Sequence, residues 1–197
     1  MKHLSLVFLL LALAGCSNFQ TADAPPPPSA SSWTEHQQIV TQLKSWQLNG
    51  KIGITRKKDS QSASLAWLQE QDTYQIDIRG PWGQGGASIY GSPEQIRVEI
   101  AGGETYQANS VEALLEDQLG WALPISDIYW WVRGIPSPNT PAKYTLKNNR
   151  LESLSQNGWS ISYLRYSHLS PALPQKLKLS HDSMKITLII HQWQPKL

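Results

Sequence analysis

The 197-residue chain carries 17 Lys and Arg against 15 Asp and Glu, one cysteine and nine tryptophans. A balance this close to neutral, with its cations scattered, argues against a nucleic-acid face, which needs clustered basic residues. A single cysteine excludes an intramolecular disulfide, so the folded part must rest on its core.

Lys2 precedes a mostly apolar stretch, Leu4 to Ala14, broken only by Ser5. It is too short for a transmembrane helix and reads as the h-region of a signal peptide. It ends in Leu13-Ala14-Gly15-Cys16, small residues ahead of a cysteine, the pattern cut by the bacterial lipoprotein signal peptidase. This predicts a signal peptide over 1–15, acylation of Cys16 and attachment to a membrane facing the periplasm. Ser17 stands where an aspartate would signal inner-membrane retention, which points to the outer membrane. Residues 16–32, with Pro25 to Pro28, form a lipidated tether reaching about 50 Å in polyproline geometry. Residues 33–197 suit one domain.

That domain opens on Ser32-Trp33-Thr34-Glu35, a capping box that starts a helix running to about Leu43. Period-2 alternation then takes over, with Ile52 and Ile54, then Ala63, Leu65 and Trp67, then Tyr74, Ile76 and Ile78. Ile89 follows, then Ile96, Val98 and Ile100. Val111, Leu114, Leu115 and Leu119 have helical spacing, from a start at Asn109 or Ser110 to a stop at Gly120. Ser126 is the expected cap of a shorter helix carrying Ile128, Tyr129 and Val132 and ended by Gly134. Alternation returns at Ile161 and Tyr163, at Leu177 and Leu179, and at Ile186, Leu188 and Ile190. Turn residues such as Gln71-Asp72, Gly102-Gly103, Asn157-Gly158 and His181-Asp182 punctuate the runs. The pattern gives roughly ten antiparallel strands with two helices in the middle of the chain. Asp77 and Glu99 alternate with apolar residues and belong on the solvent side. Pattern alone favours a closed core; the alternative is a curled sheet whose helices plug an opening and leave a cavity.

Arg79-Gly80-Pro81-Trp82-Gly83-Gln84-Gly85-Gly86 separates two strong strand runs. Trp82 stands at the turn. It either projects at the loop tip, suited to a membrane interface, or folds back onto the sheet. Trp33 belongs to the first helix. Trp46, Trp67, Trp121, Trp130, Trp131, Trp159 and Trp193 read as core or cavity lining.

Nothing in the sequence reads as an enzyme. His36, His168, His181 and His191 form no pair at metal-ligand spacing, and Cys16 is committed to lipid. There is no G-x-S-x-G elbow, and the Gly80–Gly86 stretch lacks the Lys-Ser/Thr of a phosphate loop. No metal and no cofactor are expected.

Taken in order, the lipobox, the helix leading into Trp46 to Gly53, the Gly80-Pro81-Trp82-Gly83 loop, Leu119-Gly120, Leu123-Pro124-Ile125, Trp131, Gly134-Ile135-Pro136, Trp159 to Tyr163, Leu173-Pro174 and Trp193 resemble the LolB family of outer-membrane lipoproteins. The resemblance implies a mainly β fold, a single unclosed antiparallel barrel with short helices as a lid over an apolar cavity. It implies a monomer that accepts acylated lipoprotein cargo from a LolA-like periplasmic carrier and places it in outer-membrane lipid, without nucleotide. Gly80, Pro81, Trp82 and Gly83 would be the membrane-insertion loop, with tryptophan where the family pattern has leucine. Candidate lining for the acyl chains is Ile52, Ile54, Leu65, Trp67, Ile76, Ile78, Ile96, Val98, Leu115, Ile128 and Trp131. The alternative is a lipoprotein that binds a small free lipid or other apolar ligand.

Overall fold

The computed structural model describes residues 32–56, 59–81, 85–108, 110–119, 123–138 and 140–196, without the side chains of 118 and 119. The expected signal peptide, Cys16, the tether, Trp82, Gly83 and Trp121 lie outside the described residues.

The chain begins with α1 (Trp33–Gln42) and continues through six strands: β1 (Ser45–Arg56), β2 (Asp59–Glu70), β3 (Thr73–Arg79), β4 (Gly86–Gly91), β5 (Ile96–Ile100) and β6 (Glu104–Ala108). Two helices follow, α2 (Val111–Leu119) and α3 (Ile125–Trp131). Five strands close the chain: β7 (Lys143–Lys147), β8 (Arg150–Gln156), β9 (Trp159–Tyr166), β10 (Pro174–His181) and β11 (Met184–Lys196). All eleven belong to one antiparallel sheet in the order β6-β5-β4-β3-β2-β1-β11-β10-β9-β8-β7. Two meanders are joined where β1 pairs with β11, and the outer strands β6 and β7 do not pair with each other. The barrel is unclosed, as the family resemblance implies.

Alternation puts the apolar side chains on one concave face, because successive residues of a strand point to opposite sides. Register aligns them in rows. Ile54 stands opposite Ile186, which faces Leu179, then Ile161, then Leu154. In the other half Leu65 faces Ile78, and Ile76 faces Ile89, which faces Val98. Each such side chain contributes roughly 1.5–3 kcal/mol on burial. The convex face is polar. Asp77 accepts from Ser88 Oγ at 2.5 Å, and Glu99 pairs with Arg97 at 3.3 Å, both on the solvent side as expected.

Three helices cover the open side. Ser32 caps α1, its Oγ accepting from Glu35 N at 3.2 Å. Trp33 Nε1 donates to Tyr144 Oη on β7, so α1 lies over that edge. In α2, Val111, Leu114 and Leu115 are buried against the β5–β6 edge. Ser110 Oγ caps this helix, accepting from Ala113 N at 3.3 Å. Ser126, expected to cap α3, does not. Pro124 holds the N-cap position, and the Ser126 hydroxyl instead donates to Glu112 Oε1 at 2.6 Å. That carboxylate also takes the Ser126 N–H and ties the two lid helices together.

Among the described residues there are eleven strands, where the pattern gives roughly ten. β6 and β7 are edge strands with little contrast between their faces, and every residue of β7 is exposed. In β8 the buried Leu151 and Leu154 are three apart, because the strand bulges, and period 2 fails there.

Candidate functional site

The interior is not filled uniformly. At the end of the sheet where β1 meets β2 and β3 meets β4 lies a cavity of about 580 Å³, within the 300–1,000 Å³ usual for ligand pockets. Ile52, Ile54, Ile78 and Ile100 give it aliphatic walls. Ala63 and Ala87 face the same space, opposite Ile52 and Ile78. Two alanines where neighbouring rows carry branched side chains leave the volume open. Ser60, Gln61 and Ser62 bring the polar lining, on the strand leaving the first hairpin.

Gly80 and Pro81 form part of the rim, with Gly85 and Gly86 across from them. Gly80 N donates to Gly85 O at 3.3 Å, and Ala101 N to Gly86 O at 3.0 Å, so the base of this loop is cross-tied. Gly85 has φ +68° and Gly86 φ +140°. A Cβ on Gly86 would sit 2.3 Å from Ile78 O, so no other residue fits that position.

The candidate lining residues divide. Ile52, Ile54 and Ile78 border the cavity. Trp67 borders a separate crevice of about 350 Å³ between the β2–β3 turn and α3, together with Tyr74, Tyr129 and Trp130. Leu65, Ile76, Val98, Leu115, Ile128 and Trp131 are buried in the packed interior and Ile96 lies half-buried against it; none of the seven borders either space. Ala63, Ala87 and Ile100 were missed as lining. The available signal was small residues on the inner face, in register with isoleucines.

The end opposite the loop is sealed by aromatic rings. Trp46 lies 5.1 Å from Trp67, 5.3 Å from Trp193 and 6.3 Å from Tyr129. Arg133, fully buried, stacks on Tyr129 at 3.9 Å and donates to the last carbonyls of α1, Val40 O and Leu43 O. A cation suits the negative end of a helix, while burial lowers its pKa to about 10. Burial pushes the Glu112 carboxyl up, but hydrogen bonds from Ser126 and Ser110 outweigh it and hold it below the usual range. Tyr74 is raised to about 12 by burial and by the nearby Glu112 charge. The polar groups thus fasten the helices. The cavity walls are aliphatic, which suits hydrocarbon and offers little for acid–base chemistry. Among the described residues no His, Cys, Asp or Glu cluster could hold a metal, and no helix is long and apolar enough to cross a membrane.

Comparison with known proteins agrees with this architecture. The family model for outer membrane lipoprotein LolB matches residues 44–193. Proteins named outer-membrane lipoprotein LolB from Pseudomonas putida strain GB-1 and Pseudomonas syringae pv. syringae are 42% and 41% identical over 199 residues, covering 100% of this chain and 97% of theirs. The Pseudomonas aeruginosa LESB58 relative of the same name is 43% identical, covering 95% of this chain and 93% of its own. Among solved structures, a LolA-superfamily protein from Nitrosomonas europaea superposes with a TM-score of 0.57 at 10% identity, over 86% of this chain and 94% of that one. A DUF1329 family protein from Desulfovibrio piger gives 0.56 at 7% identity, over 84% and 91%. These two likenesses speak for the fold alone. On the sequence relatives and the family model, the chain belongs to the outer-membrane lipoprotein LolB family.

Proposed function

We propose that this protein is anchored in the outer membrane through acylated Cys16 and accepts acylated lipoproteins from a LolA-like periplasmic carrier, then incorporates them into the outer-membrane lipid. It works as a monomer facing the periplasm, without nucleotide, cofactor or catalysis. The observation that carries this reading is the position of the 580 Å³ aliphatic cavity, whose rim includes Gly80 and Pro81 of the expected insertion loop.

The physics follows from the ligand. Roughly fifteen methylenes of a long acyl chain at ~0.8 kcal/mol each make about 12 kcal/mol of exposure to water. A cavity walled by Ile52, Ile54, Ile78 and Ile100 shields that surface. Because it opens beside the loop, a Trp82 ring seated at the membrane interface would hold the mouth against the lipid. The chain then leaves one apolar environment for another, and the direction is set by relative affinity.

Native mass spectrometry of the mature chain with Cys16→Ala, mixed with loaded carrier, tests the receptor step. A mass equal to receptor plus one lipoprotein is expected. A complex holding only a free lipid, with all lipoprotein left on the carrier, would replace the receptor by a small-lipid binder.

A further inference from the structure

The pairing of β8 with β9 stops halfway. Ser153 to Gln156 pair with Trp159 to Ser162, and beyond that point the strands part. There β8 stays with β7, Leu151 opposite Leu146 and Arg150 opposite Lys147. β9 stays with β10, Tyr163 opposite Leu177 and Arg165 opposite Lys176. The fork between them is a cleft of about 700 Å³, remote in the sheet order from the aliphatic cavity.

Two strand edges therefore face each other inside one sheet without pairing. Tyr166 crosses the gap, its Oη donating to Leu151 O at 2.9 Å. Unpaired strand edges are templates for an added strand, and their N–H and C=O groups need partners. Buried Leu151 and Tyr163 line the cleft, with Lys147, Arg150 and Arg165 beside them and Glu152 as its one carboxylate. Among the described residues none of these three cations forms an ion pair.

We propose that this fork is a binding slot for an extended polypeptide segment bearing carboxylates. The unpaired stretch runs about three residues along each edge, near 10 Å. Added-strand pairing supplies affinity through the backbone, and the cations select acidic side chains.

The test uses fluorescein-labelled Ser-Asp-Ser-Asp-Ser and Ser-Lys-Ser-Lys-Ser, each as blocked peptide, titrated against the mature chain with Cys16→Ala and read by anisotropy. The acidic peptide is expected to bind at least tenfold tighter than the lysine peptide. Backbone N-methylation at alternate residues should weaken it at least tenfold. The exposed double variant Lys147→Glu with Arg165→Glu should reverse the preference while keeping the circular dichroism of the parent. No saturable binding, indifference to N-methylation, or an unchanged preference in the double variant would each overturn the slot. Peptide binding that holds while the carrier transfers nothing would sink the receptor reading alone.

Discussion

Ala87 on β4 stands directly opposite Ile78 on β3, and the missing bulk of its side chain opens the interior at the loop end of the sheet. Ala87→Leu would push three extra carbons into that space. Filling an existing void commonly stabilises by about 0.5–2 kcal/mol, whereas overpacking a filled core costs roughly 1–3 kcal/mol. The expected outcome is an unfolding midpoint close to the parent's and at least a tenfold loss of cargo acceptance. Equal acceptance by the variant would place the acyl chains elsewhere.

On the proposed mechanism, Trp82 separates receiving from releasing. With Trp82→Glu the described walls, Ile52, Ile54, Ile78 and Ile100, are unchanged, so transfer from carrier to receptor should proceed at the parental rate. A carboxylate at the interface opposes insertion, and each 1.4 kcal/mol lost is a factor of ten. Cargo incorporation into vesicles should fall at least tenfold, and Trp82→Leu should retain most of it. Incorporation by Trp82→Glu at the parental level would remove the loop from the mechanism.

His36 makes stability depend on pH. It is buried beside Trp33, and its Nε2 has no hydrogen-bond partner among the described residues. Burial, and then the positive charge of Arg150, lower its pKa from 6.5 to about 4. The unfolded chain takes up the proton first as pH falls. The stability this histidine contributes is therefore intact above pH 6.5, declines between 6.5 and 4, and levels off below. The loss is on the order of 3 kcal/mol. Urea midpoints at pH 7.5 and pH 4 should differ clearly less for His36→Phe than for the parent; identical differences would contradict the assignment.

Gln156 is the rivet between the lid and the sheet. Its Oε1 accepts from Trp131 Nε1 at 2.8 Å and Ser137 N at 3.0 Å, and its Nε2 donates to Ser137 O and Thr140 O at 2.7 and 2.8 Å. Gln156→Leu would leave buried donors and acceptors unpaired, at a cost of about 2–4 kcal/mol. Thermal unfolding should drop by several degrees or more. An unshifted transition would mean that water replaces the amide.

Much of this fold was legible because the apolar positions keep a strict period. Ile52, Leu65, Ile76, Val98, Ile161, Leu179 and Ile186 all point inward in the structure. Legibility failed where period and burial part company. β7 has no buried residue to mark it, and the bulge in β8 spaces Leu151 and Leu154 by three. The Ser126 cap was misread because its hydroxyl finds a tertiary partner, Glu112, which the local pattern cannot show. The cavity was hardest to read. Side-chain size, not hydrophobicity, separates Ala63 and Ala87 from the filled rows, and only register reveals which isoleucines they face. The fork at β8 and β9 left no trace in the sequence because it is an absence of pairing.

The most direct test of the central claim places loaded LolA-like carrier with lipid vesicles and no nucleotide, with and without the full lipidated protein, and measures the fraction of cargo that becomes membrane-integrated. The account predicts rapid integration only when this protein is present, with catalytic amounts sufficient. Cargo remaining on the carrier in its presence, or integrating equally well in its absence, would contradict it.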